Sequence, residues 1–112
     1  MTSFPPDQVE ELKRFFPGVS TAQEVGTTYF LLPDAALPPG CSPSRCDMLL
    51  CPTERDGYPS RLYFAQQLQT NANRNWNGSC RVLDRTWWTF SWKIETGLRL
   101  IQMIRAHLKA CE

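Results

Sequence analysis

Apolar side chains at Val9, Leu12, Phe15 and Phe16 recur every three to four residues, while Glu10, Glu11, Lys13 and Arg14 fill most of the positions between them. That period predicts a short amphipathic helix over 7–16. Pro5-Pro6 precede it, Asp7 with Glu10 three residues later reads as a capping-box start, and Pro17-Gly18 end it. From 20 to 32 the pattern changes to β-formers around Gly26, "STAQEVGTTYFLL", which predicts two short strands joined by a turn. "PDAALPPGCSPS" carries four prolines and reads as a surface connection that cannot continue a ladder. "CDMLLC" is apolar almost throughout, as a strand covered on both faces would be, and "RLYFAQ" follows the turn "PTERDGYPS" as a fourth strand. Residues 66–85 read as a long irregular loop. "RTWWTFSWK" then concentrates Trp87, Trp88, Phe90 and Trp92, a load that suits core and lid packing. A second helix is expected over 97–110, capped by Thr96, with Leu98, Leu100, Ile101, Met103, Ile104 and Leu108 on its apolar face.

A helix, a four-stranded antiparallel meander, a loop and a helix make an α+β domain, and 112 residues allow one core, so the expectation is a single domain over 1–112. Twelve Lys and Arg against eleven Asp and Glu leave a charge of +1, which removes the electrostatic case for nucleic acid or an anionic membrane as partner. The chain has no 18-residue apolar run and no basic-then-apolar start, so a cytoplasmic protein is expected.

Cysteines stand at 41, 46, 51, 80 and 111, an odd number that fits reduced thiols. The five-residue spacing of Cys41, Cys46 and Cys51 matches no paired zinc-ligand pattern, and His107, the sole histidine, is expected partly exposed on the second helix. With one histidine no Ser-His-Asp constellation stands out, and no phosphate-binding glycine loop is present, so neither a metal nor a nucleotide cofactor is expected. Cys80 differs from the other thiols. It lies in "NWNGSCRVLD", among Asn77, Gly78, Ser79 and Arg81, where a small buried apolar residue has little reason to sit.

Tyr58-Pro59 in "GYPSRLYF", then "NGSC" with its cysteine 21 residues beyond Pro59, then Trp87 seven residues later, then an amphipathic helix, together resemble the core of ubiquitin-conjugating enzymes. "LPPGC", "DMLL", "DGYP" and "WWTFSWK" resemble more particularly the small bacterial branch called prokaryotic family E. The resemblance spans about residues 8–110. It implies a UBC-like fold with an active-site loop, a ubiquitin-like modifier and an adenylating activating enzyme as partners, a protein target, and antiviral defence as the setting suggested by the branch's gene company.

It also implies that Cys80 is the nucleophile, carrying the modifier as a thioester; a thiol suits this because it ionises near neutral pH and leaves readily. Ser79 is a lesser rival that would give an oxyester. Arg74 and Arg81 are candidates to favour the thiolate. The family's His-Pro-Asn motif is missing; Asn71, Asn73 or Asn75 in "TNANRNWNGS" are the candidates for its oxyanion role and otherwise are turn formers. Asp84 could orient the incoming amine or be a solvated turn residue. Lys13 and Arg14 are candidates for docking the activating enzyme or for a solvated helix face. The chain lacks the further C-terminal helices of many eukaryotic relatives, which leaves the need for a ligase open. The alternative from another class is a catalytically inactive adaptor of the same fold that binds the modifier or its conjugation complex.

Overall fold

Helix α1 (Pro6–Phe15) lays Leu12, fully buried, against the sheet, with Val9 packed beside it. The expected capping box does not form: Pro5 is the N-cap, Pro6 opens the first turn, and Asp7 instead pairs with Arg99 at 3.0 Å. The computed structural model describes residues 4–70, 74–76 and 78–112. Beyond α1 come β1 (Ser20–Glu24), β2 (Thr27–Ala36), β3 (Arg45–Cys51), β4 (Arg61–Phe64), β5 (Gly78–Val82), β6 (Arg85–Thr89) and α2 (Leu100–Lys109). The strands form one antiparallel sheet in the order β1-β2-β3-β4-β6-β5.

The architecture is therefore α+β as expected, with six strands rather than four. The additional pair is a hairpin cut from the stretch read as loop and aromatic packing. Ser79 lies opposite Trp88 and Cys80 opposite Trp87. Leu83 and Asp84, at φ of 56° and 59°, make its two-residue turn, a left-handed pair that polar residues or glycine usually supply. No Asn-Gly or Asp-Gly marks this turn, so it left no signal. A second departure lies in β2, which continues through Pro33 to Ala36: the register shifts between Leu32 and Ala35, and this bulge accommodates the proline. At the other end, α2 begins later than expected, at Leu100 rather than residue 97, because Gly97 adopts a φ of 80° and Arg99 is extended.

Alternation along the strands divides the apolar load between the two faces of the sheet. Phe30, Leu32, Met48, Leu50, Leu62 and Phe64 pack with Leu12, Phe90, Leu100, Ile101 and Ile104 beneath the two helices. The helices are joined to each other by Arg99, whose guanidinium also meets Glu11 at 3.0 Å. The opposite face carries a smaller core of Tyr29, Leu49, Cys51, Tyr63, Val82 and Trp87, all buried. No helix covers it. The sheet curls instead: Leu83, at the tip of the β5–β6 hairpin, donates its backbone N–H to the carboxylate of Glu24 at the end of β1, 3.0 Å away. First and last strands of the sheet order thus meet at one corner, and Trp87, anchored by its indole N–H on Val82 O at 3.0 Å, fills the space between. Among the described residues no helix is long and apolar enough to cross a membrane.

Candidate functional site

Cys80 sits on β5, not on an irregular loop, with its side chain packed against the small core formed by Tyr29, Cys51, Tyr63, Val82 and Trp87. Its alternation partners Ser79 and Arg81 point outward and are exposed. The thiol is half-buried, whereas Cys41, Cys51 and Cys111 are buried; Cys46 is half-buried on β3. Burial raises the pKa of Cys80, and the Arg55 guanidinium and the Tyr63 hydroxyl oppose that rise by favouring the thiolate. Cys51 and Asp56 face the thiol as well and act with burial. Burial also pushes Cys46 up to about 11 and Cys111 up to about 12.

Arg55 is held rigidly where it can act. Its backbone exchanges two hydrogen bonds of 2.9 Å with Tyr58 across the turn between β3 and β4. Its guanidinium donates to the Tyr29 hydroxyl and lies 5.9 Å from the centre of that ring. Together with Glu24, Thr27, Tyr29, Arg81 and Val82 it lines a cavity of about 240 Å³ between the hairpin tips. This arginine carried no sequence signal, because its approach to Cys80 depends on the curl of the sheet across 25 residues of chain.

The two arginines expected to favour the thiolate are engaged elsewhere. Arg81 donates to Asp84 O at 3.1 Å across the hairpin turn. Arg74 donates to Ala110 O at 2.6 Å and stacks 4.6 Å from the Trp92 ring, fastening the connection before β5 to the end of α2. Asp84 is exposed in the turn, and the carboxylate whose charge bears on the thiol is that of Asp56. Asn71 and Asn73 lie outside the described residues. Asn75 is exposed, and its carbonyl accepts the Ser91 N–H at 3.0 Å. Lys13 and Arg14 are exposed on the last turn of α1, with Lys13 3.9 Å from Glu10.

His107 is buried, contrary to the expectation of a partly exposed position, and its Nε2 lies 2.9 Å from Ser60 Oγ. Burial, and then the charge of Arg61, lower its pKa to about 4. The pair joins α2 to the start of β4 inside the protein, where a substrate has no contact with it. Among the described residues no group of three or more His, Cys, Asp and Glu side chains is placed to hold a metal ion. Cys80 offers a partly accessible thiol whose ionisation is opposed by burial and favoured by the charge of Arg55 and the Tyr63 hydroxyl. Compared with known family models, curated proteins and solved structures, the chain matches none.

Proposed function

We propose that this chain is a UBC-like acyl carrier, which accepts a ubiquitin-like modifier from an activating enzyme as a thioester on Cys80 and transfers it to a target amine. The observation that carries this reading is the setting of Cys80, a half-buried thiol on the residue where the conjugating-enzyme resemblance requires a nucleophile, with the charge of Arg55 and the Tyr63 hydroxyl favouring its ionised form against burial. In the loading step the Cys80 thiolate attacks the carbonyl carbon of the donor thioester, and a new C–S bond forms as the carbonyl electron pair moves to oxygen. Collapse of that intermediate breaks the old C–S bond and releases the activating enzyme's cysteine as a thiolate. In the second step an amine attacks, gives its proton to water, and expels Cys80. Thiols enter and leave throughout, so the exchange needs no cofactor on this chain. On this reading Lys13 and Arg14, exposed on the last turn of α1, dock the activating enzyme, and Asp84, exposed in the hairpin turn, orients the incoming amine.

A second reading is favoured by one observation, the upward pKa shift that burial imposes on Cys80. A thiol kept protonated at neutral pH suits an inactive adaptor that binds the modifier without carrying it. Mixing the chain with its activating enzyme, modifier and ATP, then running gels with and without reductant, separates the two. The carrier gives a conjugate that reductant removes and Cys80→Ala lacks, and Cys80→Ser converts it to a reductant-resistant ester. A conjugate indifferent to Cys80→Ala would sink the carrier. Binding without any conjugate, together with uniformly slow iodoacetamide labelling of all five cysteines, would establish the adaptor.

A further inference from the structure

We propose that the groove between the C-terminal end of α1, the bulged part of β2 and α2 binds a small amphipathic carboxylate, its apolar tail laid along the floor and its head group held by Arg105. The groove lies on the helix side of the sheet, whereas Cys80 packs on the opposite face, so the assignment stands whether or not the chain is an acyl carrier.

Two irregular stretches of backbone shape the concavity. Pro17-Gly18 follow the end of α1, and the register shift between Leu32 and Ala35 takes Pro33 and Asp34 out of the ladder. These stretches touch, since a Cβ on Gly18 would stand 3.1 Å from Pro33 Cγ. With α2 as the third wall they border a groove of about 390 Å³, within the size range of small-ligand sites. Its floor is apolar: Ala35, Ile101 and Ile104 are almost wholly buried, and Phe16 and Leu108 are half-buried beside them. At the mouth stands Phe15, 55% exposed. A solitary exposed phenylalanine is unremarkable, but this one carries the apolar floor out to the surface, where a tail can cover it.

The polar side chains that line the groove, Asp34, Arg45 and Arg105, are all exposed and form its rim. Asp34 and Arg45 cancel each other: Arg45 Nε lies 3.2 Å from the Asp34 carboxylate, and its Nη2 donates to Asp34 O at 2.6 Å. Arg105 forms no ion pair among the described residues, which include every Asp and Glu of the chain. Its guanidinium lies over the Phe15 ring, 5.0 Å from the centre, and is thereby kept at the mouth. Stacking uses the face of a guanidinium, so its N–H edge remains to take the two oxygens of a planar carboxylate. One uncompensated cation above an aliphatic and aromatic floor is the complement of a monoanion with an apolar tail.

Octanoate is the probe, with octanol and octylammonium as its neutral and cationic counterparts, each titrated into the full chain and followed by calorimetry and by backbone amide resonances. Octanoate will shift the amides of 15–18, 34–36 and 101–108. Octanol will bind about tenfold more weakly, and octylammonium more weakly still. Arg105→Gln will lower the octanoate affinity to that of octanol and leave octanol unchanged. Ala36→Trp, at an exposed position on the wall, will fill the groove and abolish both, while Lys93→Gln, which removes an exposed charge elsewhere, will alter neither. Should Ala36→Trp fail to fold, the wild-type amide shifts and Arg105→Gln, which changes only an exposed side chain, still decide. Silence of those amides up to the micelle threshold of octanoate, or equal affinities for octanoate and octanol, would overturn the proposal. So would shifts of the same amides with protein concentration alone, which would give the groove to a second copy of the chain.

Discussion

Ser60 Oγ and His107 Nε2 lie 2.9 Å apart with both side chains almost wholly out of solvent, so the residue just before β4 is tied to the last turn of α2. The imidazole is neutral in the fold, with its pKa lowered from 6.5 to about 4 by burial and by Arg61. Between those two values the unfolded chain binds a proton that the folded one refuses, so stability rises with pH across the window. The His107 contribution is complete above pH 6.5 and is lost progressively as pH falls toward 4, to a limit of about 3 kcal/mol. Urea midpoints measured from pH 7 to pH 4 will show this decline. His107→Gln, which keeps a hydrogen-bonding group and removes the titration, will flatten that part of it.

At the base of the hairpin, Gly78 faces Thr89, and a Cβ placed on Gly78 would stand 2.9 Å from Thr89 Cγ2. Thr89 cannot simply turn away, because its hydroxyl donates to Leu62 O at 2.9 Å. Gly78→Ala will therefore destabilise the fold by about 1–3 kcal/mol. Adding Thr89→Ser, which deletes the methyl and keeps the hydroxyl, will restore most of the loss in denaturation experiments.

The β1–β2 turn is Val25-Gly26, with Val25 held at a φ of 50° and its side chain fully exposed. A β-branched residue is disfavoured there and no packing offsets the strain. Val25→Asn creates the Asn-Gly pair that such turns favour. It will raise the thermal midpoint by the equivalent of about 1 kcal/mol.

Arg99 clamps the helices by meeting Asp7 and Glu11, each at 3.0 Å, from the N-terminal end of α2. The Asp7 carboxyl is held below its usual range by the Arg99 hydrogen bond, and both partners are well exposed. Arg99→Gln will lower stability slightly at low ionic strength, and the difference from wild type will shrink in 1 M salt. A loss that salt does not touch would mean that the arginine acts through packing of its stem.

Wherever local periodicity and tertiary packing agree, the elements were readable from the residues. Leu12 and its neighbours marked α1, the β-formers around Gly26 marked the first hairpin, and "DMLL" and "RLYF" marked the two central strands, whose residues are buried on both faces of the sheet. The β5–β6 hairpin was not readable, since "GSCRV" is polar on one side and turns at Leu83-Asp84 without glycine or asparagine. Its pairing is decided by Trp87, which fills a core that exists only once the sheet has curled. For the same reason the sequence picked out Cys80 and missed Arg55. A thiol in polar company is a local signal, while a guanidinium brought from another turn is a product of the fold. His107 was misplaced because a helix period assigns a face, and the neighbouring Ser60 that allows a buried imidazole is 47 positions away.

The β5–β6 hairpin joins the rest of the sheet through a short ladder in which Phe64 stands opposite Trp88, and at its far end it is fastened by the hydrogen bond from Leu83 to Glu24 and by the Arg85–Asp47 pair, each at 3.0 Å. Mechanically this is a hinge and a catch. Release of the catch lifts a strand without breaking the helix-covered core, because the Trp87 cluster and the cluster under the helices are separate. A local opening of this hairpin therefore costs less than unfolding of the whole chain, and Glu24 and Asp47, both remote from the hairpin in sequence, are the residues that hold its tip closed.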